Sequence, residues 1–122
     1  MDIYREEILE NWQNPQNFGK MSAADLVIEQ INPLCGDEVT FFFKIKKGKI
    51  DKVSFTGSGC AISIASASLL SSAIFGKKVS VISRITGQDV LGLIGGSVAP
   101  ARLKCAFLAL EAIKRIEARV KS

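Results

Sequence analysis

Histidine is missing from all 122 residues. That excludes histidine-dependent triads, histidine haem ligation and HExxH metalloprotease chemistry, since each needs an imidazole. Long hydrophobic runs are missing too, and none approaches the ~18 residues that argue a transmembrane helix. The opening Met1-Asp2-Ile3-Tyr4-Arg5 lacks the charged-then-apolar order of a secretory signal. The expectation is a soluble, cytoplasmic protein with no membrane partner. Cysteine is scarce and odd in number, with three in the chain. That argues against a disulfide framework and makes reduced thiols the default. No CxxC pair occurs, so a zinc ribbon or a thioredoxin motif is excluded. Repeats, low-complexity segments and linkers are also absent, and residues 1–122 read as one domain.

What is present supports a packed fold. Hydrophobic residues make up 48% and charged residues 23%, which is ordinary globular usage and supplies enough apolar surface for one core. Charge is unevenly placed: residues 1–38 hold eight acids and two bases, and residues 39–122 hold fourteen bases and four acids. An acidic head on a basic body fits either charged partner surfaces or simply solvated faces.

Tyr4 to Gln13 is predicted to be a helix, with Tyr4, Ile8 and Trp12 recurring every four residues. That stripe suits either core packing or an exposed interface for oligomers or a partner. Asn14-Pro15 and Asn17-Phe18-Gly19 stop it. Leu26–Ile31 is a short β-rich run, and Val39–Lys47 alternates with Val39, Phe41, Phe43 and Ile45 on one side. Lys47-Gly48-Lys49 turns the chain into a third strand through Ile50, Val53 and Phe55. Strands joined by short turns predict an antiparallel sheet.

Cys60 to Phe75 predicts a helix with Ile62, Ala65, Leu69 and Ala73 on its packed face and Gly76 as its stop. Val79 to Leu93 predicts one or two short helices capped by Thr86 or Ser80. Pro100 opens a final helix with the inner stripe Leu103, Phe107, Leu110, Ile113, Ile116 and Val120. Strands first and helices after make an α+β domain.

Each cysteine falls at an element boundary: Cys35 in Asn32-Pro33-Leu34-Cys35-Gly36-Asp37, Cys60 after Gly57-Ser58-Gly59, and Cys105 five residues past Pro100. A helix start stabilises a thiolate, and Lys104 beside Cys105 adds positive charge. Lys104 reads either as a tuner of that thiol or as a solvated residue. Asp37, two residues after Cys35, offers a hard oxygen beside soft sulfur. Three thiolates and one carboxylate meet the four-coordinate demand of zinc, or of cluster iron with one replaceable ligand. Structural cysteines and a redox-sensing thiol are the competing readings of the same residues.

Those segments resemble the three cysteine motifs of the iron–sulfur cluster assembly scaffolds, the family of IscU, SufU and the N-terminal domain of NifU. Asn32-Pro33-Leu34-Cys35-Gly36-Asp37 is similar to the first motif and Gly57-Ser58-Gly59-Cys60-Ala61-Ile62-Ser63 to the second. Pro100-Ala101-Arg102-Leu103-Lys104-Cys105-Ala106 is similar to the third, and Asn14-Pro15-Gln16-Asn17-Phe18-Gly19 to the N-terminal segment. The resemblance covers essentially the whole chain. It implies a three-stranded antiparallel sheet with helices packed on it, and Cys35, Asp37, Cys60 and Cys105 gathered at one accessible end. In the family these positions hold a transient [2Fe-2S] cluster or iron, with zinc in many isolated preparations.

The implied function is cluster assembly and transfer, with a cysteine desulfurase supplying sulfur and apo iron–sulfur proteins receiving the product. Such a protein is a scaffold rather than an enzyme, with an accessory sulfurtransferase role left open and a homodimer around a bridging cluster also open. Cys105 is the first candidate for accepting persulfide sulfur, and Cys60 the second. Three departures are visible. Lys104 stands where IscU-type members carry His, and the motif wording is SufU-like. The separation of 45 positions from Cys60 to Cys105 is too short for the insertion usual in SufU. Val98-Ala99-Pro100-Ala101-Arg102 is a reduced form of the Leu-Pro-Pro-Val-Lys segment that a specialised chaperone reads in IscU.

The alternative within the family is a SufU-like, zinc-dependent sulfur acceptor. The alternative outside it is a nucleic-acid-binding module, carried by Lys44, Lys46, Lys47, Lys49 and Lys52 with Phe42 on the same hairpin. No RNP-type or KH motif accompanies them, and the reading is that nucleic acid is not a partner.

Overall fold

The computed structural model describes residues 3–34, 36–96 and 98–121. Helix α1 spans Ile3–Gln13. The strands are β1 (Leu26–Ile31), β2 (Glu38–Lys46) and β3 (Lys49–Ser58). Five helices follow: α2 (Ala61–Ile74), α3 (Val79–Ile82), α4 (Gly87–Leu93), α5 (Leu103–Ile113) and α6 (Ile116–Lys121). The three strands form one antiparallel sheet in the order β1-β2-β3. This is the α+β architecture expected from the run of strands before helices. Among the described residues no helix is long and apolar enough to cross a membrane.

The alternation in β2 works as the period of two requires. Val39, Phe41 and Phe43 are buried, while Ile45 after a register shift at Lys44/Ile45 is half-buried. Phe41 stacks on Phe43 with centroids 5.8 Å apart and meets Phe55 of β3 at 5.7 Å. Each fully buried ring contributes roughly 2–3 kcal/mol of transfer free energy, so this aromatic patch ties β2 and β3 to the helical layer. The pairing also determines the site. Glu38 pairs with Ser58, so the residue before β2, Asp37, and those after β3, Gly59 and Cys60, emerge at the same end of the sheet. The Lys47-Gly48 turn closes the opposite end.

Helix α2 lies at the centre and is buried on more sides than one stripe predicts. Its deepest apolar residues are Ile64, Ala65, Ala67, Leu70 and Ile74; Ile62 and Leu69 of the expected face are only half-buried. The rule of one apolar face fails because α1 covers the side of α2 turned away from the sheet. That second interface combines an apolar cluster of Ile8 with Ala65 and buried polar bonds: Ser68 Oγ donates to Asn11 Oδ1 at 2.7 Å and accepts from the Gln16 N–H at 2.7 Å, and Asn17 Nδ2 donates to Ser71 Oγ at 2.9 Å. The expected α1 stripe divides accordingly. Ile8 is buried and Trp12 is 45% exposed; the Tyr4 side chain lies outside those described.

Thr86 caps α4 with a reciprocal capping box to Asp89, whereas Ser80 lies within α3, whose cap is Lys78. The single final helix expected from periodicity is broken. Pro100–Arg102 form a 3-10 turn, and α5 ends at Ile113 before α6 begins at Ile116. The break coincides with Arg115, whose Nη1 donates to the Glu29 carbonyl at 2.7 Å and to Gln30 Oε1 at 3.0 Å. Val120 of the expected stripe is 44% exposed, while Ile113 and Ile116 on either side of the break stay in the core.

Candidate metal centre

Three elements deliver three ligand-type side chains to one end of the sheet. Asp37 comes from the loop entering β2, Cys60 from the cap position of α2, and Cys105 from the second turn after Pro100, in α5. One carboxylate oxygen of Asp37 and the sulfurs of Cys60 and Cys105 all lie within 4.8 Å of one another. Residues separated by 45 positions in sequence thus meet because β3 feeds α2 and α5 packs along it. Cys35, the fourth ligand candidate, lies outside the described residues. Its neighbours Gly36 and Asn32 close the loop with a Gly36 N–H to Asn32 carbonyl bond of 2.8 Å.

The centre is more sheltered than an open, solvent-facing end. Asp37 and Cys105 are each 6% exposed, and Cys60 is half-buried. Burial pushes the Cys105 thiol up from its ordinary value of 9.0 to about 12, reinforced by the neighbouring Cys60 and then by Asp37. The lowered thiol pKa expected from a helix start is therefore not what the geometry gives. Cys105 follows a 3-10 turn and sits among groups that become negative. Lys104 does not offset them, since its exposed side chain lines a groove of about 300 Å³ with Asn32, Pro33, Leu34, Leu108 and Glu111. Crowded acidic groups that repel one another's charge are stabilised together when a cation binds between them.

The donor set fits the groups expected of it. Two soft sulfurs and one hard oxygen within 4.8 Å of one another are donor types that suit zinc or iron and leave a further position open. Two further residues complete the site; the role of the first, Ser63, was missed in the sequence, and the second, Gly59, is a glycine whose close approach the sequence suggested. Ser63 Oγ donates to Asp37 Oδ2 at 2.6 Å and lies 3.4 Å from Cys60 Sγ. Its signal was present in the Cys60-to-Ser63 spacing of one helical turn. Gly59, with φ of +157°, packs so closely that a Cβ there would stand 2.8 Å from Asp37 Cγ.

Comparison with known proteins bears on the whole chain. The family model described as NifU-like N terminal domain matches residues 3–120. The Archaeoglobus fulgidus protein named iron-sulfur cluster assembly scaffold protein IscU 1 is 34% identical over 113 residues, covering 93% of this chain and 73% of that protein. The Bacillus subtilis zinc-dependent sulfurtransferase SufU is 32% identical over 130 residues, covering 93% and 88%. That alignment is longer than this 122-residue chain, so the relative carries residues with no counterpart here. The N-terminal structure of a nitrogen-fixing NifU-like protein from Brucella abortus shares the fold, with a TM-score of 0.79 over 98% of this chain and 95% of that one at 22% identity.

Proposed function

The chain belongs to the NifU-like N-terminal domain family, and from that premise we propose that it is a scaffold on which iron–sulfur clusters are assembled and passed on. The observation that carries this reading is the convergence of Asp37, Cys60 and Cys105 within 4.8 Å. Cys35, two residues before Asp37 in the sequence, is the fourth ligand of the proposal. The cargo is a [2Fe-2S] cluster, and the donors are arranged for temporary holding: three thiolates bind iron strongly, while one carboxylate is the mismatched ligand that an acceptor's thiolate displaces.

Sulfur arrives from a cysteine desulfurase as a persulfide. A thiolate of this chain attacks the terminal sulfur; a new S–S bond forms here, the donor's S–S bond breaks, and the donor cysteine leaves as thiolate with no net redox change. Cys105 is the first candidate acceptor and Cys60 the second. Half-buried Cys60 is the more open of the two, and Cys105 becomes a nucleophile only once a cation or a partner removes its proton. Lys104, on the groove beside Pro33 and Leu34, is placed to meet an incoming partner rather than to tune the thiol. Reduction of persulfide sulfur to sulfide needs electrons from an external donor. The partners are therefore a desulfurase, a reductant and apo iron–sulfur proteins, with the protein acting in the cytoplasm and no nucleic acid involved.

A second reading has support in the same ligand set, which suits zinc equally. In a zinc-dependent sulfur carrier the metal would hold the thiols until the desulfurase competes for it. The Archaeoglobus fulgidus relative, which is named a scaffold and aligns with this chain without such extra residues, favours the scaffold. The test is reconstitution followed by transfer. A sulfide-bridged iron absorption that forms on this chain and moves to an apo-ferredoxin supports the scaffold. Retained zinc with faster desulfurase turnover supports the carrier.

A further inference from the structure

One short hydrogen bond inside the centre involves a residue outside the ligand set. Ser63 is 4% exposed and stands one turn after Cys60 in α2. A serine inside a helix ordinarily bonds back to the carbonyl of the preceding turn. Ser63 instead crosses 26 residues of sequence to donate to Asp37 Oδ2 at 2.6 Å, while its oxygen lies 3.4 Å from Cys60 Sγ. The hydroxyl is fixed there by α2, which the sheet, α1 and α5 enclose, and Asp37 is brought to it by the absence of a side chain at Gly59.

We infer that Ser63 is a positioning residue that keeps Asp37 a weak, one-oxygen ligand and so sets how fast the site releases its metal. The inference rests on the ligand set of the proposed function. A hydroxyl bonded to a carboxylate is a charge-assisted donor, shorter and stronger than a neutral pair. It draws negative charge onto Oδ2 and occupies the oxygen that a cation would need to clamp Asp37 through both. Without the hydroxyl, the carboxylate has more charge and a second oxygen to offer, and the bound cation leaves more slowly. Contact with Cys60 places the same hydroxyl beside the neighbouring ligand, so a proton turned toward a Cys60 thiolate is withdrawn from Asp37.

The experiment uses Co2+ as the probe, in the full chain, with thiolate-to-metal charge-transfer bands reporting ligation and transfer to EDTA followed by stopped flow. Ser63→Ala is expected to lose Co2+ about tenfold more slowly, in line with a hydrogen bond to a charged group, while Ser63→Thr, which keeps the hydroxyl, stays within about twofold of the wild type. In an Asp37→Ala background, Ser63→Ala is expected to change the rate by less than about twofold, because its action runs through Asp37. Unchanged or faster loss from Ser63→Ala, or slowing that persists without Asp37, overturns the inference. Should Ser63→Ala fail to fold by circular dichroism, Ser63→Gly serves in its place with the same expected slowing and the same overturning result. Failure of the wild type itself to show thiolate-ligated Co2+ overturns the ligand set, which separates that failure from this one.

Discussion

Gly59 and Asp37 are in contact across the end of the sheet, close enough that a methyl group on Gly59 would stand 2.8 Å from both Cγ and Oδ1 of the carboxylate. The glycine before one cysteine motif thus makes room for the acid of another. Gly59→Ala is expected to push Asp37 aside and weaken Zn2+ binding by about tenfold, the scale seen when groups supporting a ligand are lost. Competition with a chromophoric chelator measures this, and an unchanged affinity would contradict the packing account.

Asp37→Cys replaces the one hard donor with a fourth thiolate. Zinc and cluster iron are then expected to be held more tightly and released to acceptors more slowly, because all ligands match the soft preference of the site. Transfer kinetics to an apo-ferredoxin report the change; transfer as fast as in the wild type would remove the release role from Asp37.

The Cys105 thiol gives the metal-free protein a pH signature. Its pKa in the fold is about 12 against an ordinary 9.0, so between these values the folded chain binds more protons than the unfolded one. Stability is therefore full below pH 9 and falls as pH rises toward 12. Cys105→Ala is expected to flatten that fall. Urea titrations of chelator-treated protein at pH 8 and pH 10 give the test, and parallel pH dependence in both chains would rule out Cys105 as its source.

The junction between α1 and α2 depends on polar bonds, which makes it selectively fragile. Ser68 is fully buried, donating to Asn11 and accepting from the Gln16 N–H. Ser68→Ala leaves both partners unsatisfied, at a cost of about 1–3 kcal/mol. Hydrogen exchange is expected to speed up in α1 while the strands keep their protection. Uniform loss of protection would show instead that α1 is not a separable unit.

The strands, the order of helices and the family were legible because the β2 alternation, the Lys47-Gly48 turn and the three motifs are local patterns. Asp37, Cys60 and Cys105 stood out as candidates by type and motif, and their convergence needed the Glu38–Ser58 register, which is a tertiary fact. The buried face of α2 was misread because its serines look polar in sequence, yet Ser66, Ser68 and Ser71 are buried beneath α1 and the sheet. The break before Ile116 has no glycine or proline to announce it, and it falls where Arg115 bonds to β1. The raised Cys105 pKa was illegible for a related reason. Sequence shows Lys104 as a neighbour, while the fold supplies Cys60 and Asp37 instead.

The central claim is tested most directly by counting iron and acid-labile sulfide per chain after anaerobic incubation with cysteine, ferrous iron and a desulfurase. The account predicts about two irons and two sulfides per site, with both lost in Cys60→Ser while the fold is retained. Neither iron nor sulfide on the wild-type chain, with the desulfurase active, would contradict it.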